Sequence, residues 1–376
     1  MVKTRERYVK TIRFGNPDKI PLNPGVPRES TLRVWREQGL PEGLDYMDTV
    51  LKILGIKKEA ELKWHFLDVS FKMDPEFETQ ILEHKDGHYV ILDWMGAVTE
   101  IADTFDESYL RSAKDFVTRK WHKFPVATSE DWENMKSRFD SSAPGRIGEN
   151  LRKIGEEEKT KGKILTISFN GVFWQLREWC GFENLCILMA EDPDFVNEMA
   201  EFWGDFVLEM LRKVLRVIVP DRVLISEDMA FKAHSMISPA MTREYIVPQY
   251  NKWIPLIKNW GCPVVELDSD GFIEELIPVW IEAGINCCSP VEFAAQCDIL
   301  NFRNKFGRKM AYMQGIDKRL IARGDKELED HVMKIVPALY KVGGYIPGCD
   351  HGVPPDISWK NYIEFTRMLA KLSGWL

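Results

Sequence analysis

From about residue 163 onward, short apolar runs alternate with stretches of helical periodicity. KILTISF (163–169), RVLIS (222–226), PVVEL (263–267), INCC (285–288), KMAYMQG (309–315) and GGYIPG (343–348) read as buried strands. Between them, FENLCILMAEDPDFVNEMAEFWGDFVLEML has a helical pattern, and Ser238-Pro239 reads as an N-cap followed by proline at the first helical position. That helix runs toward Trp260. Ile273, Leu276, Ile277, Trp280 and Ile281 recur at helical spacing after the third strand, and a last helix is predicted from about Trp359 to Leu372.

Repeated strand–helix units with near-continuous apolar strands predict a parallel sheet covered by helices. Six such units, with KIPLNPG (19–25) near the N-terminus, predict an α/β fold of the (β/α)8 TIM-barrel type in one domain spanning 1–376. One further strand must then lie within residues 26–160. Segment 60–125, rich in aromatics and alternating patterns such as GHYVILDW, predicts a hairpin lid inserted in the barrel, while 148–163 is charged and solvent-like.

Composition narrows the function classes. The 376 residues are 45% hydrophobic and 29% charged, as in a soluble globular enzyme. A net charge of −8 argues against nucleic acid, whose phosphates need a basic stripe. No apolar run approaches the roughly 20 residues that span a bilayer, and the N-terminus has no apolar signal region. Seven cysteines, odd in number and irregularly spaced, fit a reducing cytoplasm better than a disulfide framework. Dinucleotide, Walker, nucleophile-elbow, HExxH and CxxC signatures are all absent from the sequence.

Candidate chemistry sits where the apolar runs stop, because parallel barrels carry their active sites at the C-terminal strand ends. KIPLNPG carries Asn23. KILTISF leads to Asn170-Gly171, RVLIS to Glu227-Asp228, PVVEL to Asp268-Ser269-Asp270-Gly271, KMAYMQG to Asp317, and GGYIPG to Cys349-Asp350-His351-Gly352. Strand-end Asp and Ser also cap the helices that follow. Asp270 and Asp317 are open to that reading, whereas Asp268 sits too early to cap. Cys349 and His351 lie in a Gly/Pro-rich loop with little core to satisfy.

These segments, in this order, resemble the uroporphyrinogen decarboxylase-like superfamily, and its corrinoid-linked methyltransferase branch more than the decarboxylases. TRERYVKTIRFGNPDKIP, FPVATSEDWENMK, FNGVFWQLREWCGFENLCILMAEDPDFV, ISEDMAFKAHSMISPAMTREYIVPQYNKWI, MQGIDKRLIARG and PGCDHGVPPD carry the likeness over nearly the whole chain. The resemblance implies a (β/α)8 barrel and a homodimer. It also implies a zinc site formed by an H-x-C-G segment and the cysteine of a P-G-C loop. Here Asp268-Ser269-Asp270-Gly271 replaces H-x-C-G while Cys349 keeps the third place, so Asp268, Asp270 and Cys349 become the expected ligands of a divalent metal. An oxygen-rich site suits polarising an ether or alcohol oxygen. The expected reaction is therefore methyl transfer from a small O-methyl donor to a corrinoid carried by a partner protein.

On that reading Glu227, Asp228 and His351 are catalytic, and Asn23, Arg28, Asn170 and Asp317 bind substrate. The alternative is a metal-free decarboxylase or lyase with Asp268 and His351 as acid–base partners. In its favour, His351-Gly352 resembles part of the decarboxylases' G-H-G. Against it, NPGVPREST offers only Arg28 where those enzymes hold substrate carboxylates with two arginines.

Overall fold

The computed structural model describes residues 2–112 and 114–376. In chain order the strands are β1 (Trp64–Phe66), β2 (Gln80–Lys85), β3 (His88–Leu92), β4 (Val98–Ala102), β5 (Lys120–Lys123), β6 (Ile164–Asn170), β7 (Arg222–Ser226), β8 (Val264–Asp268), β9 (Cys287–Ser289), β10 (Ala311–Met313) and β11 (Tyr345–Ile346). Among the described residues they form two sheets. One is parallel and seven-stranded in the order β1-β6-β7-β8-β9-β10-β11; the other is antiparallel, β2-β3-β4-β5.

The parallel strands are apolar along their length because both faces are covered. Successive residues serve opposite faces: Val264 joins a cluster with Tyr8, Ile12, Ile164, Cys287, Ala311, Met313 and Ile346, while Val265 joins the large cluster under the outer helices. Tyr8 and Ile12 belong to the helix Thr4–Ile12, which packs against the first residues of these strands. That end of the sheet is therefore plugged, and the C-terminal ends are left for ligands.

The strand hidden in residues 26–160 is β1, only three residues long and bracketed by charge, which is why it has no hydrophobic signature. Residues 22–28 bond to segments flanking both edge strands. Leu22 exchanges backbone bonds with Ala60 and Leu62 (2.8 and 2.9 Å), while Pro24 and Val26 accept from Cys349 and Val353 (3.0 and 2.9 Å).

The aromatic segment forms a four-stranded antiparallel sheet where a hairpin is predicted. Asp86 and Gly87 turn β2 into β3 with φ of 52° and 75°, the left-handed pair of a two-residue hairpin. Ile91, Ile101 and Leu110 give this sheet a small core of its own.

Several predicted helices are found at their predicted places. Ser238 Oγ accepts from Met241 N at 3.1 Å with Pro239 at N1, and the last helix is Trp359–Leu372. The helix after β8 starts later than its periodicity suggests, at Ile277. Residues 271–276 form a turn instead, so Asp270 does not cap that helix and its carboxylate is left for other partners.

Candidate active site

Strand register aligns one row of polar residues at the C-terminal edge. Asn170 pairs with Ser226, Ser226 with Asp268, and Asp268 with Ser289. Asp268 is half-buried, with Ser226 Oγ 3.5 Å from its Oδ2. Burial, and then the negative charges of Asp270, Glu266 and Asp228, push its carboxyl up to about 7.

Two further carboxylates stand beside it. Asp228 is held at φ 43°, an uncommon conformation for a residue with a side chain. Arg177 grips it twice, through Nη1 to the backbone carbonyl at 2.9 Å and Nη2 to Oδ2 at 3.1 Å. Burial raises the Asp228 carboxyl against the pull of Arg177. Asp270 lies 3.2 Å through Oδ2 from His351 Nε2. That bond raises the imidazole above its ordinary value, against burial, and favours the imidazolium. The turn is fixed by Gly271, at φ 84°, where a Cβ would lie 2.4 Å from the Ala230 carbonyl.

Segment 60–125 reaches this mouth through Phe116. Its ring stacks on His351 at 6.2 Å between centroids, and the Arg28 guanidinium lies over it at 5.4 Å. Arg28 also fills the space that a side chain at position 352 would need: a Cβ on Gly352 would lie 2.6 Å from its Nε. The N-terminal segment, segment 60–125 and the last loop thus meet at one place. Asn23 is half-buried close by, its carbonyl against Gly348.

Other predicted residues are committed elsewhere. Glu227 is fully buried, and its carboxylate accepts from Val172 N (2.9 Å), Trp174 N (3.0 Å) and the Tyr250 hydroxyl. It satisfies the orphan donors of the helix Val172–Cys180 from outside that helix. Gly171 is what lets it approach, because a Cβ there would lie 2.1 Å from Glu227 Cδ. Burial pushes its carboxyl up to about 7, with these bonds pulling the other way. Asp317 caps the helix Lys318–Arg323, accepting from Arg319 N and Nε at 2.9 Å each. Asn170 donates to Gln175 (3.1 Å) and Glu178 (3.0 Å).

The expected metal triad is not assembled. Among the described residues no group of three or more His, Cys, Asp or Glu side chains is disposed to hold one metal ion. Asp270 is turned to His351, and Cys349 is a buried core residue packed against Gly25. Burial, followed by the charge of Asp350, pushes the Cys349 thiol up. These residues in this arrangement do not fit zinc.

Two acids have no role assigned from the sequence: Asp350, although it lies at a predicted strand end, and Glu178 altogether. Asp350 is fully buried and ties two loops together, accepting from Phe293 N (2.9 Å) and Lys318 N (3.1 Å). Glu178 accepts from Trp174 Nε1 at 2.6 Å and is pushed up to about 7 by burial. Its only signal in the sequence is the i,i+4 spacing to Trp174.

No curated protein sequence matches the chain. Among solved structures, a methyltransferase from Methanosarcina mazei shares the fold with a TM-score of 0.60 over 99% of both chains at 12% identity. A GH26 beta-mannanase from Bacteroides ovatus gives 0.35 at 10% identity, over 61% of this chain and 76% of its own. No helix among the described residues is long and apolar enough to cross a membrane. The uroporphyrinogen decarboxylase (URO-D) family profile matches residues 123–372, about two thirds of the chain. This match carries every strand of the parallel sheet except β1, and with it the polar row and the loop of His351, and on that basis the chain belongs to the URO-D family.

Proposed function

We propose that this protein is a methyltransferase that takes a methyl group from a small O-methyl donor, with Asp268 as the general acid. The observation that carries the reading is the Asp268 carboxyl, held up at about 7 in the polar row at the strand ends. A carboxyl so placed is protonated in a large share of molecules near neutral pH, which suits giving that proton to a leaving oxygen. As the methyl carbon departs to an acceptor nucleophile, the electron pair of the C–O bond stays on oxygen, which takes the proton from Asp268. Solvent then returns that proton to the carboxylate. His351 and Arg177 place positive charge against Asp270 and Asp228, whereas Asp268 forms no ion pair among the described residues.

The acceptor is expected on a corrinoid-bearing partner protein, the corrinoid supplying the nucleophile. The rim suits such a flat apolar body: Phe116 and Phe231 are 46% and 50% exposed beside His351 and Gly271. The methyltransferase fold neighbour, matched over 99% of both chains, supports the same reading. The decisive assay mixes the protein with an O-methyl donor and free cob(I)alamin and follows loss of the cob(I)alamin absorbance. Donor-dependent loss that disappears in Asp268→Asn is the expected result.

One observation favours a second reading, a metal-free decarboxylase or lyase. Asp268 and the His351–Asp270 pair form an acid–base set that needs no metal. Against it, the mouth gathers Asp228, Asp268 and Asp270 around Arg177 and His351, a poor host for a substrate with many carboxylates. Release of carbon dioxide from a small carboxylic acid, abolished by His351→Gln, would establish it.

A further inference from the structure

Between the antiparallel sheet and the ends of β1 and β6 lies a cavity of about 730 Å³. Its size is that of an ordinary small-molecule site, and neither the acids of the mouth nor His351 line it. Trp94 and Trp121 from the side of the antiparallel sheet and Trp174, Trp179 and Trp203 from the barrel make its walls aromatic.

Two of these indoles lack an acceptor. Trp174 and Trp203 donate to Glu178 (2.6 Å) and to the Asn170 carbonyl (3.0 Å). Trp94 Nε1 and Trp179 Nε1 are buried with no hydrogen-bond partner. Both nitrogens have almost no accessible surface, so it is the ring faces and edges of these tryptophans, not their N–H groups, that border the cavity.

The charge of the cavity is equally specific. Lys72, Arg111 and Arg119 face Asp68 and Glu178 across it. Arg111 is paired with Glu76 at 2.6 Å. Arg119 gives its Nη2 to the carbonyls of Leu110 (2.8 Å) and Tyr109 (3.3 Å), and among the described residues it forms no ion pair. Arg119 feels the charge of Asp93 first and then that of Glu178, the acid on the cavity wall, which burial pushes up to about 7.

We propose that this cavity binds an aromatic carboxylate: Arg119 holds the carboxylate and the tryptophans of the wall cover the ring. This rests on the methyl-transfer reading only in making that ligand the methyl donor, a methoxybenzoate. Asn170, on the cavity wall, stands two strands from Asp268 in the sheet, about 10 Å at the usual strand spacing. An aryl ring spans most of such a gap and would carry its methoxy oxygen from Arg119 toward Asp268.

The test is titration of intrinsic tryptophan fluorescence in the full chain with 4-methoxybenzoate, methoxybenzene and 4-methoxybenzylamine. The benzoate should bind at least about tenfold more tightly than either of the others, the size expected of a charge-assisted pair. Arg119→Gln should remove that preference and Arg119→Lys retain part of it, with circular dichroism melts confirming that both fold. Equal binding of the three ligands, preference for the amine, or an unchanged preference in Arg119→Gln overturns the proposal. Should Arg119→Gln fail to fold, the three-ligand comparison on the unaltered protein decides. Carboxylate-selective binding without methyl transfer would keep this site and remove the methyl-transfer reading. Methyl transfer from donors without a carboxylate, with no binding of methoxybenzoate, would do the reverse.

Discussion

His351 Nε2 and Asp270 Oδ2, 81 residues apart in the chain, meet at 3.2 Å. The contact joins the turn after β8 to the loop after β11 across the mouth, and it favours the imidazolium of His351. Removing it should be visible on the imidazole itself. In Asp270→Asn the His351 pKa should fall below its value in the unaltered protein, read from the imidazole C–H signals by NMR titration. An unchanged titration would mean that the pair is a contact without electrostatic consequence.

The carboxyl of Glu227 serves the fold. Glu227→Ala leaves the amides of Val172 and Trp174 without their acceptor in a buried place, which should destabilise the protein by about 3 kcal/mol in chemical denaturation. Gly171→Ala attacks the same contact from the other side, since its Cβ would collide with Glu227. The two losses should add to less than their sum because the variants break one interaction.

Glu227 also sets a pH dependence of stability. Its folded pKa, about 7, is raised above the ordinary 4.5, so the folded state binds this proton more tightly than the unfolded chain. Its contribution to stability is complete below about 4.5 and is lost as pH rises through about 7. Denaturation curves between pH 5 and 8 should show a downward slope that is shallower in Glu227→Gln. An equal slope in both would assign the effect to Asp268 and Glu178, which titrate in the same window.

Metal removal should change little. Because Asp268, Asp270 and Cys349 are not gathered as a ligand set, dialysis against a chelator should leave activity unaltered. About one zinc per chain, lost in an Asp268→Ala/Cys349→Ala double variant, would contradict this arrangement.

Much of the fold was legible because parallel strands and their covering helices leave periodic apolar marks, and strand ends alone point to Asn170, Asp228, Asp268, Asp270 and His351. Adjacent acids are another matter. Glu227 and Asp228 look alike in sequence, yet one turns inward to a helix terminus and the other, through a left-handed backbone, toward Arg177. Which way each points depends on the turn geometry, and that is not written in residue type. Cys349 is expected as a ligand because the resemblance to the methyltransferases gives it the third place of their zinc set, whereas here Gly25 packs on it in the core. Glu178 was invisible because a helix acid reads as solvent-facing, and only its place on the cavity between the two sheets shows otherwise.

The most direct measurement is the pH–rate profile of methyl transfer to cob(I)alamin for the unaltered protein and Asp268→Asn. If Asp268 supplies the proton, the rate of the unaltered protein falls as pH rises through about 7, and Asp268→Asn loses about 10²- to 10⁴-fold and with it that alkaline limb. A variant that keeps both the rate and the limb would contradict general acid catalysis by Asp268.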